Sequence, residues 1–264
     1  MRSSARQYGF SLLETLLAVS TLAIGMIFVG GTFLTGIYLA TVSTERTIAT
    51  VAADEALAKI RLYGLNPDDP NLATDACTPY TELVTIPNSE LRYPSTDPND
   101  ANSVQQYSWA ALCKRAEGNN RLVEVTVFIG RRIGTNTRYW AREAGEDVLD
   151  LEEVELPRPV RLNVIQAAGD DEDELTIEDA VASDETEEEK FVNDGATLVD
   201  DQTGQIYRVL ERYAGDNAGR IKLDRDWEGE SLTGADGGWV WVVPRPATGG
   251  RSPLVAVYQE VLRF

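Results

Sequence analysis

Glu14 is the only charged residue between Arg6 and Glu45, and it stands at the edge of an otherwise apolar run. A carboxylate in a membrane span costs about 2.5–3.5 kcal/mol on insertion scales, so an acid kept there calls for a partner. The other candidates for chemistry are few. Histidine is absent, which removes Ser-His-Asp and Cys-His catalysis and every imidazole-based metal site. The two cysteines, Cys77 and Cys113, follow the apolar run. Outside a membrane, in an oxidising compartment, they read as a disulfide, with two buried free thiols as the alternative. Among 43 acidic residues no pair stands out as a general acid and base for glycoside cleavage, the hydrolase chemistry that works without histidine.

The apolar run must be a helix, because it is long enough to cross a hydrocarbon core of roughly 30 Å. Arg2 to Arg6 precede it as a short basic leader that the positive-inside rule keeps on the cytoplasmic side, with the remainder facing outward. A cleavable secretory signal fits poorly, since its apolar region is only about 7–15 residues long and its small-residue cut follows that region. An ordinary single-pass anchor explains the length and orientation but not the Gly9-Phe10 junction or Glu14.

With the leader, the helix and an outward head, the stretch Gly9-Phe10-Ser11-Leu12-Leu13-Glu14 resembles the class III signal of the type IV pilin and type II secretion pseudopilin superfamily. The resemblance extends through the long helix and is loose beyond it. It implies cleavage by a prepilin peptidase between Gly9 and Phe10 and N-methylation of Phe10. It also implies an assembly role for Glu14, whose carboxylate would pair with the Phe10 amine of a neighbouring subunit. Many major pilins carry a proline within the span where this chain has Gly30-Gly31; glycine's low helix propensity would permit local melting there.

Beyond Glu45 the pattern turns amphipathic, with Ile48, Val51, Ala52, Ala56, Ile60 and Tyr63 at helical spacing. Gly64 and Pro67 predict the helix end. Strands are expected at Tyr80–Ile86, Gln106–Leu112 and, most strongly, Leu122–Ile133, continuing after a turn into Arg138–Ala141. Between Glu143 and Asp200 there are 21 acids against Arg158, Arg161 and Lys190. The runs 170–174 and 184–189 read as solvated loops or as carboxylates collecting calcium; neither has the Asp-x-Asp-x-Asp-Gly spacing of a defined calcium loop. Five short strands after Phe191, the last at Leu254–Phe264, suggest a small barrel or sandwich, with the aromatic stretch around Trp239 and Trp241 read as core packing rather than as a ligand site.

The expected fold class is α+β: a long N-terminal helix packed on an antiparallel sheet, then an acidic linker or belt and a small all-β barrel-like C-terminal domain. The boundaries are 1–9 for the leader, 10–64 for the helix with a span at 12–40, 65–142 for the head, 143–190 for the belt and 191–264 for the barrel. The expected function is a non-enzymatic structural subunit, a minor pilin or pseudopilin, in the bacterial inner membrane and then in a pilus or pseudopilus. Its expected partners are the prepilin peptidase, other pilin or pseudopilin subunits and an inner-membrane assembly platform. No cofactor is expected. A net charge of −19 argues against nucleic acid. The alternative is a membrane-anchored extracytoplasmic binding module.

Overall fold

The computed structural model describes residues 11–94, 105–133, 137–142, 151–166, 171–178, 188–213, 219–229, 238–246 and 250–264. One continuous helix, α1, runs from Leu12 to Tyr63, straight through Gly30 and Gly31. It ends where the sequence predicts: Gly64 adopts φ +76°, and its N–H closes the last turn on the Ile60 carbonyl at 3.0 Å. The chain divides into two compact units between Thr47 and Ile48.

The second unit begins with the last four turns of α1 and continues through β1 (Thr78–Pro79), a single helical turn α2 (Tyr80–Leu83), β2 (Arg92–Tyr93), β3 (Tyr107–Arg115), β4 (Leu122–Arg131), β5 (Tyr139–Arg142) and β6 (Leu151–Val154). Then come β7 (Val160–Ile165), β8 (Glu174–Glu178), a 3-10 turn at Glu188–Phe191, β9 (Thr197–Asp200), β10 (Ile206–Arg212), β11 (Arg220–Leu223), β12 (Gly238–Val242) and β13 (Leu254–Arg263). The strands form an antiparallel sheet in the order β1-β3-β4-β13, with β2 also on β3, a closed six-stranded barrel β10-β11-β8-β7-β12-β9, and a β5-β6 ribbon.

Strand alternation gives the sheet two apolar faces. Val123, Val125, Val127 and Ile129 of β4 pack with Ala49, Ala52, Ala53, Ala56, Leu57 and Ile60 of α1, where alanines let the helix approach closely. Val51 and Tyr63, expected on that face, are instead 50% and 41% exposed. The opposite face carries Leu112 and Phe128, which join Val199, Trp241 and Val243 in a cluster shared with the barrel. The barrel interior is closed by Val160, Leu162, Val164, Leu175, Val209, Ile221, Val240 and Val242.

Four expectations are corrected. Tyr80–Ile86 is not a strand: it opens with α2, and Tyr80 is buried with its hydroxyl donating to the Gly64 carbonyl. The strand at Tyr139–Arg142 pairs with β6 rather than extending β4. The stretch 143–190 is not a linker, since it supplies β6, β7 and β8, and the barrel therefore starts at Val160 rather than Phe191. Alternating Val160, Leu162 and Val164 point inward there, while Glu174 is neutralised by Arg220 and Asp173 by Lys222 at 3.1 Å. Finally, β13 belongs to the head sheet, paired with β4 along its length. Trp241, correspondingly, sits between barrel and sheet rather than in the barrel interior.

Candidate functional site

The start of α1 is built by Ser11. Its Oγ accepts the Glu14 N–H at 3.3 Å, and its carbonyl accepts the N–H groups of Glu14 and Thr15 at 3.0 and 3.2 Å. Ser11 is thus the N-cap and Glu14 the third helical residue, the spacing of a capping box, in which a carboxylate also opposes the positive end of the helix dipole. The Ser-x-x-Glu spacing was legible in the sequence, and Ser11 is the capping residue that composition and hydropathy alone pass over. Gly9 and Phe10 lie outside the described residues.

From Leu12 to Leu39 the large apolar side chains, among them Leu16, Ile27, Phe28, Phe33 and Leu34, are all exposed within their unit. An 18-residue window of α1 has a mean hydropathy of 2.1 with none of it buried, so the helix is long and apolar enough to cross a membrane. Its hydroxyl groups suit that setting. Thr15, Ser20, Thr21, Thr32, Thr35 and Thr41 each donate to a carbonyl three or four residues back at 2.8–3.0 Å, which leaves no unmet donor among them.

The expected Cys77–Cys113 bridge is not formed; both are free, buried thiols. The register explains why. Thr78 stands opposite Cys113, so Cys77 is one residue out of step and its side chain takes the other face of the sheet. Cys113 packs against the helix and Cys77 against the barrel. Burial pushes the Cys113 thiol up to about 12 and Cys77 further, the nearby Asp201 carboxylate adding to the second, so neither is a ready nucleophile.

Asp201, just past β9, is the best-connected buried acid between barrel and sheet. Its Oδ1 accepts Trp241 Nε1–H at 2.6 Å and the Cys77 N–H at 3.2 Å, and its Oδ2 accepts Arg161 Nη2–H at 2.6 Å. Beside it the turn through Gly204, at φ +75°, sits on the sheet, where Gln259 donates to the Gly204 carbonyl at 3.0 Å. The positive φ favours glycine at 204, and a Cβ there would also press on the end of the Glu124 side chain, 3.0 Å away at Oε1. These groups fasten two layers together. Among the described residues no group of three or more acidic or thiol side chains is placed to hold a metal, and most of the run 184–189 lies outside them.

Comparison with family models, with curated proteins and with solved structures finds no match for this chain.

Proposed function

We propose that the chain is a non-enzymatic structural subunit, a minor pilin or pseudopilin of a type IV pilus or type II secretion pseudopilus. It is held in the bacterial inner membrane, amino terminus inside and head outside, until assembly. The observation that carries this reading is Glu14: one carboxylate in the first turn of a helix that then runs uncharged to Thr44 with its apolar side chains uncovered. Prepilin peptidase cuts between Gly9 and Phe10, the new amine is methylated, and a platform in the inner membrane feeds the subunit into a bundle of such helices. A new amine at Phe10 would carry a positive charge into an apolar bundle, where it costs several kcal/mol if unpaired. A neighbour's Glu14 neutralises it and sets the axial register between subunits.

The test combines N-terminal sequencing of the mature protein with fractionation of Glu14→Ala. The expected start is Phe10, and the variant should insert and be cleaved normally yet be depleted from sheared filaments. An intact Met1 would make the helix a plain anchor for an extracytoplasmic binding module. A variant that enters filaments as well as wild type would reduce Glu14 to the cap of its own helix.

A further inference from the structure

Three arginines of the second unit converge on one cleft of about 200 Å³, against two acids, Glu153 and Glu155, in a chain whose net charge is −19. Arg92 comes from β2, Arg138 from the residue before β5, and Arg158 from the segment joining β6 to the barrel. Two of them share one internal carboxylate: Glu155 Oε2 accepts Arg92 Nη2–H at 3.1 Å, and Glu155 Oε1 lies 3.7 Å from Arg138 Nη1. Arg158 has no carboxylate among the described residues. Its hydrogen bond is to the neutral Asn88 Oδ1, at 3.1 Å. Arg92 Nε is buried with no hydrogen-bond partner among the described residues.

A guanidinium withdrawn from water without a counter-charge is costly, and it remains protonated because its ordinary pKa is so high. Burial pushes the Arg158 pKa down from that ordinary value, the sign of a desolvated cation. Its position is also fixed from behind. Pro157 lies on the backbone of β4, where a Cβ at Gly130 would stand 2.6 Å from Pro157 Cγ, and Leu156 is buried in the helix-facing core. The cation is thus held in place by packing and by Asn88, with no ion pair of its own among the described residues.

We propose that this cleft is a carboxylate-binding site in which Arg158 takes the incoming carboxylate as a planar fork, and Arg92 and Arg138 reach it in competition with Glu155. The cleft suits one carboxylate on a small acid or on the side chain of an acidic peptide. Glu155 already occupies two of the three arginines with that chemistry, and a guanidinium gives two parallel N–H donors that match the oxygens of a carboxylate. The inference rests on the second unit alone and stands whatever the N-terminal helix does.

The test is calorimetric titration of the full-length protein in detergent micelles at low salt, with succinate, a hexaglutamate peptide and inorganic phosphate as probes. Saturable binding of succinate puts a free acid in the cleft; binding of the peptide alone puts a partner's acidic side chain there. In either case Arg158→Gln should weaken binding about tenfold or more, and Arg158→Lys, which keeps charge but not the fork, should weaken it nearly as much. Glu155→Gln should tighten binding several-fold by releasing Arg92 and Arg138, a gain that misfolding cannot produce. No saturable binding of either carboxylate probe up to about 10 mM would overturn the proposal. So would an Arg158→Gln variant that binds as wild type does, a Glu155→Gln variant that binds no tighter, or phosphate bound as tightly as the carboxylates.

Discussion

Replacing Asp201 by alanine should destabilise the second unit by about 2–6 kcal/mol, the cost of leaving two buried N–H donors without their acceptor. The figure comes from the contacts. Asp201 is 4% exposed. Its loss orphans the Trp241 indole N–H and the Cys77 backbone N–H, both at buried residues, at about 1–3 kcal/mol each. Arg161 adds less than about 1 kcal/mol, because its side chain is 39% exposed and also lies 4.5 Å over the Trp239 ring. Asp201→Asn keeps the acceptor Oδ1 and gives up a charge that burial already disfavours against a part-exposed Arg161, so it should cost less than about 1 kcal/mol. Urea unfolding of the full-length protein in detergent, followed by tryptophan fluorescence, measures both. An alanine variant within about 1 kcal/mol of wild type, or no worse than the asparagine variant, would refute the clamp.

Acid sensitivity should come from elsewhere. Burial, outweighing the Arg161 charge, raises the Asp201 pKa. The folded state then binds its proton more readily than the unfolded state does. The contribution of this group is fully present below its unfolded value of about 3.9 and is lost as pH rises through the folded value. Glu174 runs the other way. Hydrogen bonds from the Tyr213 hydroxyl at 2.7 Å, the Asp171 N–H at 3.2 Å and Arg220 depress its pKa.

Glu174→Gln should therefore flatten the loss of thermal stability as pH falls below about 4.3, where the wild-type contribution disappears; melts that remain parallel to wild type down to about pH 2 would count against it. Gly130→Ala forces a methyl group to within 2.6 Å of Pro157 Cγ and should cost about 1–3 kcal/mol by overpacking, read from the urea midpoint; a cost near zero would mean that Pro157 yields freely. Gly9→Val should leave a full-length precursor in the membrane fraction, checked by intact mass, because the proposed cut needs a residue without a side chain; normal processing would move the cut elsewhere.

Local pattern carried part of this architecture and long-range pairing the rest. The end of α1 was legible because Gly64 supplies the left-handed angle that a helix terminus needs, and β3 and β4 were legible from alternation. Tyr80-Thr81-Glu82-Leu83 misled because aromatic and β-branched residues favour strands, while here a turn of helix buries Tyr80 under the carbonyl of Gly64. In 143–190 the density of acids masked the inward alternation of β7. The partner of β13 had no local signal, since β4 lies more than a hundred residues earlier and strand pairing depends on both strands at once. At the helix start Glu14 is evident from its charge, whereas the cap that Ser11 provides rests on the Ser-x-x-Glu spacing alone. For the cysteines, spacing said nothing of register, and one residue of offset separates the sulfurs by the thickness of the sheet.

The pairing of β13 with β4 explains how the barrel is carried. The chain leaves the sheet at Arg131 and re-enters it at Leu254, and the Arg131 N–H donates to the Pro253 carbonyl at 2.7 Å, so exit and return are adjacent. An insertion with adjacent ends is usually separable, because the parent sheet can close without it. Here it is not. The barrel covers the second face of the sheet, where Leu112 and Phe128 are 1% and 2% exposed, and Asp201, Gln259 and Trp241 bind the layers together. Stripping it away would bare an apolar face to water on one side while α1 covers only the other. The sheet is therefore the middle layer of three, helix, sheet and barrel, and the barrel is a structural half of the head rather than an ornament at the end of the chain.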